Sequence, residues 1–165
     1  MTAEMETGPR SGLRVTRLVA APRAWVFAAF TEPVLIGRWW WPWKPAAMSD
    51  LRVGGAYRLA AEHPEAGHLE ITGRYLDVRP PELLRFTWRW AGAREEEDTV
   101  ATVVIVPAVG AADETEMTVV HEGFPDQATR DDHVQGWSDC LDRLALLAAS
   151  PHPIDDDRNA STSAS

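Results

Sequence analysis

Apolar positions near the end of the chain recur at alternating spacings of three and four: Val134, Trp137, Leu141, Leu144 and Ala148. That period lays a single stripe along an α-helix, predicted here from Thr129 to Ala149. Asp132, Gln135, Asp139, Asp142 and Arg143 fall mostly on the other side, and Asp131 and Asp132 are assigned to the first turn, where the helix dipole favours acids. Such a helix is roughly 30 Å long, about the length of a nine-residue strand, so it could cover a whole antiparallel sheet.

Upstream the period shortens to two. Leu13, Val15 and Val19 alternate with Arg14, Thr16 and Leu18, a first strand from Leu13 to Ala20. Pro22 is read as the first residue of a helix carrying Trp25, Val26, Ala29 and Phe30, and Pro33 as the opening of a second short helix with Val34, Leu35 and Ile36 that breaks around Gly37. Trp39 to Pro45, with two prolines and four tryptophans, reads as a stiff aromatic loop. Strands follow at Met48 to Val53, after a Gly54-Gly55 turn at Ala56 to Ala61, and at Leu69 to Val78, where Gly73 marks a bulge or bend. The clearest strand alternates Leu84, Phe86, Trp88 and Trp90 with Arg85, Thr87 and Arg89, so one face is buried and the other wet. Thr99 to Val106 and Thr115 to Gly123 complete the set, with Met117, Val119 and His121 on one face of the last strand.

The pattern divides the chain into a lead-in over 1–12, one domain over 13–150 and a tail over 151–165. The lead-in carries acids and no apolar run, the tail is rich in Asp and Ser, and both are expected to be disordered. An apolar fraction of 45% suffices for a real core. The formal charge of −9, with no stripe of Lys and Arg, argues against nucleic acid and anionic membranes as partners. No signal peptide or spanning segment is read, so a cytoplasmic address is expected. The lone Cys140 excludes an intrachain disulfide and reads as a small buried hydrophobe.

The candidate chemistry is sparse. His121 is the titratable group that strand periodicity turns toward the long helix, either as a ligand-facing or acid-base group or as a histidine bonded to backbone or water. His63, His68 and His133 lie on different elements at unrelated spacings, and Glu95, Glu96, Glu97 and Asp98 have no histidine beside them; no metal and no cofactor are expected. Ser138 has no activating partner at helical spacing, and Gly-x-Ser-x-Gly is missing. Arg85 and Arg89 should face solvent, and Arg74 is read as a surface arginine unless Gly73 shifts the register. The eight tryptophans are the other signal, because several of them share the predicted inner face.

Motifs in order carry a resemblance. Val19-Ala20-Ala21-Pro22-Arg23-Ala24-Trp25-Val26-Phe27, Thr31-Glu32-Pro33 with Gly37-Arg38-Trp39-Trp40, and Tyr75-Leu76-Asp77-Val78-Arg79-Pro80-Pro81-Glu82-Leu83-Leu84 with Thr87-Trp88 come first. Thr118-Val119-Val120-His121-Glu122-Gly123-Phe124 and His133 with Gly136, Trp137 and Leu141 follow. Together they resemble the START-like, or Bet v-like and polyketide-cyclase-like, superfamily, in the branch named for activators of the ninety-kilodalton heat-shock chaperone ATPase. The resemblance implies an α+β helix-grip fold: a curved antiparallel sheet of about six or seven strands wrapped around the C-terminal helix, with two short helices after the first strand. It also implies a cavity between sheet and helix for a hydrophobic or aromatic small molecule or lipid-like ligand. Trp40, Tyr75, Phe86, Trp88, Trp90, Met117, Val119, His121, Trp137 and Leu141 are expected to line it, with His121 and Tyr75 orienting the ligand. Two alternatives stay open: a cyclase- or hydrolase-like enzyme in which His121 moves protons, and an interaction module for a chaperone. The chain is expected as a monomer or homodimer. The pocket depends on Trp137, because a ring that plugs the space between helix and sheet would make the helix ordinary core.

Overall fold

The computed structural model describes residues 11–110 and 113–150. Seven strands form one antiparallel sheet: β1 (Ser11–Val19), β2 (Ala46–Ser49), β3 (Ala56–His63), β4 (Gly67–Arg79), β5 (Leu83–Trp90), β6 (Thr99–Pro107) and β7 (Thr115–Phe124). Their spatial order is β1-β7-β6-β5-β4-β3-β2. Two short helices, α1 (Arg23–Thr31) and α2 (Pro33–Trp39), connect β1 to β2, and α3 (Gln127–Ala149) closes the chain of elements. The long excursion through α1 and α2 carries the chain from one edge of the sheet to the other. Meanders of neighbouring antiparallel strands then bring it back, and β7 docks beside β1.

Alternation sets which face is buried. Leu13, Val15 and Val19, Ala101, Val103 and Ile105, and Met117, Val119 and His121 all turn inward, while Arg14, Arg85 and Glu122 stay exposed. α3 lies chiefly along β1 and α2. Trp137, Cys140, Leu141, Leu144 and Ala148 are its buried stripe, and Val134 is half-buried. The helix therefore seals one side of the sheet, and Phe27, Phe30 and Ile36 of the short helices complete the same core.

Several expected boundaries move, each for a local reason. α3 begins at Gln127, because the Asp126 carboxylate accepts from the Thr129 backbone N–H at 2.7 Å and caps the helix there. Asp131 and Asp132 consequently sit in the second turn, and the first turn holds no acid. Pro22 is the residue before α1 rather than its first helical residue, whereas Pro33 does open α2. α2 runs through Gly37 to Trp39, so only Trp40 to Pro45 remain as the aromatic loop. β2 is short and ends at Ser49; residues 50–55 form a longer connection in place of the expected Met48 to Val53 strand. β1 begins at Ser11, while residues 1–10 and the expected tail over 151–165 lie outside the described residues.

Gly73 is the pivot of the long strand β4. A Cβ placed there would stand 2.0 Å from the Thr87 carbonyl oxygen and 2.5 Å from Cε1 of Tyr57. The Tyr57 hydroxyl crosses this point to donate to the Thr87 carbonyl at 2.5 Å, and the Arg74 backbone N–H bonds to Thr87 Oγ1 instead of a ladder carbonyl. The register slip itself comes later, between Tyr75 and Asp77. A close approach of strand and ring, rather than a bulge at the glycine, therefore requires the missing side chain.

Candidate functional site

Three tryptophans from three elements meet in the middle of the molecule. Trp40 follows α2, Trp88 lies on β5 and Trp137 on α3; their ring centroids are 5.3 Å apart for Trp40 and Trp137, 5.4 Å for Trp88 and Trp137, and 5.8 Å for Trp40 and Trp88. All three are at least nine-tenths buried. Aromatic contacts at these separations stabilise beyond simple burial, by about 0.5–1.5 kcal/mol per pair. The cluster plugs the space between sheet and helix that the helix-grip arrangement would otherwise leave open.

Behind the plug the interior is nearly full. The space among Phe30, Ile36, Trp40, Tyr57, Tyr75, Leu84 and Phe86 amounts to about 20 Å³, room for one water. Tyr75 turns its hydroxyl to Ser49 Oγ at 2.7 Å, which commits the polar end that was expected to orient a ligand. Met117, Val119 and Leu141 are wholly buried within the hydrophobic cluster, so these three expected pocket residues are packed core.

His121 is also wholly buried, and both its nitrogens are engaged. Nδ1 accepts from the Trp137 indole N–H at 3.0 Å, which leaves the proton on Nε2 to be donated to Thr99 Oγ1 at 2.6 Å. Burial first, and the nearby His133 second, hold its pKa well below the ordinary histidine value. The imidazole is therefore a neutral structural bridge between β7, β6 and α3. To move a proton to or from a ligand it would have to surrender a bond, and it has no exposed surface.

In front of the plug the space opens. A cavity of about 150 Å³ is walled by Trp40, Trp41, Trp88, Trp90 and Trp137, with Ile71, Cys140, His133, Asp132 and Gly136 completing it. Asp132 and Gly136 are exposed and mark its mouth on α3. Trp41 and Trp90 are half-buried and stack with their planes 21° apart, the outer wall of the niche. Four of the expected site residues, Trp40, Trp88, Trp90 and Trp137, come together here; Tyr75 and Phe86 lie on the other side of the plug.

His133, which spacing alone had set aside, turns out to be the niche's histidine. Its Nδ1–H donates to the Thr129 carbonyl at 2.8 Å, one helical turn back, and its Nε2 accepts from the Trp90 indole N–H at 3.0 Å. Trp88, Trp90 and His133 also form a common wall with an open groove of about 400 Å³ between the β5–β6 connection and the start of α3. The sequence signal for this pairing was faint: His133 sits four residues before Trp137, hence one turn away on the same face of the helix.

Trp40 is held from behind. Cys140 Sγ–H donates to its carbonyl at 2.6 Å, and Arg143 reaches from α3 to the carbonyls of Trp39 at 3.1 Å and Trp40 at 3.0 Å. A guanidinium on the last carbonyls of α2 satisfies acceptors that the helix leaves free. Helical spacing puts Arg143 mostly opposite the stripe, but its length lets it fold back onto the neighbouring helix. Burial raises the Cys140 thiol to about 11, so it is an inert donor. The expected surface arginines behave more simply: Arg89 pairs with Asp98, and exposed Arg74 bonds the Gly54 carbonyl.

Among the described residues no three His, Cys, Asp or Glu side chains are grouped to hold a metal ion, and no helix is long and apolar enough to cross a membrane. Residues 20–149 match the family described as Activator of Hsp90 ATPase homolog 1-like protein. Among solved structures, a protein of Chromobacterium violaceum is similar, with 29% identity, a TM-score of 0.73, and 85% of this chain and 99% of that one covered. An HSP90 activator of Plasmodium falciparum has the same fold at 20% identity and a TM-score of 0.68, covering 85% of this chain and 97% of its own. A protein of Micromonospora echinospora, CalU16, is 23% identical with a TM-score of 0.64, covering 98% of this chain and 91% of its own. No curated protein matches the chain.

Proposed function

This chain belongs to the Activator of Hsp90 ATPase homolog 1-like family, and from that premise we propose that it binds a compact hydrophobic or aromatic small molecule in the tryptophan-walled niche. The observation that carries this reading is the 150 Å³ cavity with five indole walls and a mouth on α3. A cavity of about that size admits a benzene-sized guest, whereas drug-sized or lipid-like ligands occupy about 300 Å³ or more. The ligand is therefore smaller than the fold's full groove would take, or only part of it enters the niche and the rest lies in the adjoining groove. Affinity comes from apolar surface removed from water, at roughly 25 cal/mol per Å², and from ring stacking.

Titration of the full chain with small aromatic probes such as indole, followed by calorimetry and by intrinsic tryptophan fluorescence, tests the proposal. Saturable binding is expected, and Gly136→Leu, which puts a side chain at the mouth, should abolish it without unfolding the protein. Wild-type protein that shows no saturable binding in the millimolar range would refute the reading.

A second reading, a module that acts on an Hsp90-type chaperone, is supported by the description of the family itself. Chaperone ATPase rates with and without the chain test it; an unchanged rate at saturating protein would set it aside. The cyclase- or hydrolase-like alternative has less support, because its proposed base, His121, has both ring nitrogens bonded.

A further inference from the structure

We propose that the niche takes an alkylated ammonium group, the bulky cation of choline-like molecules, an inference that rests on the niche being a small-molecule site. Among the residues that line it, Asp132 carries the one formal charge, and no Lys or Arg is present. The guanidinium of Arg143 is not a lining group; it is committed to the carbonyls of Trp39 and Trp40 and, at 3.2 Å, to the sulfur of Cys140. The N–H edges of four of the five indoles are also bonded or covered. Trp90 and Trp137 spend their N–H donors on His133 and His121, and the Trp40 and Trp88 nitrogens have no accessible surface and no acceptor. The surface left toward the opening is mostly apolar, and the face of an indole carries the negative lobe of its quadrupole.

A cage of electron-rich rings closed by one carboxylate attracts a cation and repels an anion. The kind of cation follows from size and hydration. A bare ammonium would leave strong hydration behind on entering an apolar cavity, at a cost the rings cannot match. An alkylated ammonium is weakly hydrated, close to benzene in bulk, and presents methyl groups to the walls while its charge acts through them. The formal charge of −9 adds a field that concentrates such cations around the protein. The exposed position of Asp132 at the mouth leaves its carboxylate solvated in the free protein, so it does not need a buried partner to be stable.

Choline and its neutral isostere, in which carbon replaces the quaternary nitrogen, separate charge from shape. Calorimetric titration of the full chain should give saturable choline binding about tenfold tighter than that of the isostere. Asp132→Asn should weaken choline several-fold and leave the isostere unchanged. Isostere binding as tight as choline, or choline binding insensitive to Asp132→Asn, would overturn the cation inference while preserving a small-molecule niche. If indole binds and choline does not, the same conclusion follows; if nothing binds, both readings fall together.

Discussion

The Trp137 indole nitrogen donates to Nδ1 of His121 at 3.0 Å, tying the middle of α3 to the centre of β7 inside the core. This bond holds the tryptophan plug upright, and with it the back wall of the niche. Trp137→Phe keeps most of the ring but removes the donor, leaving a buried imidazole nitrogen unpaired. A loss of about 1–3 kcal/mol is expected, read as a lower urea midpoint; an unchanged midpoint would mean that the bond contributes nothing.

The same bond makes a prediction about pH. Unfolded, His121 takes up a proton as pH falls through about 6.5, whereas the folded imidazole is held well below that value by burial and by His133. Its contribution is therefore fully present above about 6.5 and is lost as pH drops below it, by at most about 1.4 kcal/mol per pH unit for one proton. His68 runs the other way. Hydrogen bonds to Glu62 and then Glu70 raise its pKa, so its small, exposed contribution is present below about 6.5 and fades as pH rises through the raised value. Proton NMR should show the His121 ring signals titrating well below the ordinary histidine range and those of His68 above it; a His121 midpoint near 6.5 would contradict the buried bridge.

Two glycines should respond in opposite directions. Gly73→Ala drives a methyl into the Thr87 carbonyl and the Tyr57 ring, and should destabilise by about 1–3 kcal/mol or more. Gly136→Ala meets nothing within 4 Å and removes a helix penalty, so it should stabilise by about 0.5–1 kcal/mol. Thermal unfolding of both variants measures the contrast. A glycine that weakens α3 without any packing need is consistent with keeping the niche open.

Cys140 offers a check on Trp40. With the thiol raised to about 11 and bonded to the Trp40 carbonyl, an aromatic disulfide reagent at pH 8 should modify the native protein orders of magnitude more slowly than the urea-unfolded chain. Fast native modification would show that the contact between α3 and the Trp40 carbonyl is loose.

Trp41 and Trp90 form the outer wall without being fully buried. Trp41→Ala should therefore reduce probe affinity about tenfold while changing the urea midpoint little, and Trp90→Phe should release His133 Nε2 as well as part of the wall. A Trp41→Ala variant with undiminished probe binding would relocate the site.

By itself the sequence determined the kind and face of nearly every element. Period two in Leu84, Phe86, Trp88 and Trp90 and the three-four spacing of Trp137, Leu141 and Leu144 are local geometric facts, so they survive folding unchanged. Motif order carried the fold and family as well. Tertiary structure decided what the inward rings do once they meet. Whether Trp40, Trp88 and Trp137 enclose a cavity or fill it depends on the distance between α3 and β5 and on side-chain rotamers, neither of which is encoded in spacing along one element. The same holds for His133, placed opposite Trp90 from 43 residues away, and for His121, whose two bonds turned the most reactive-looking residue into a strut. Hydrogen bonds between distant side chains are decided by packing, and packing is decided only when the whole core closes.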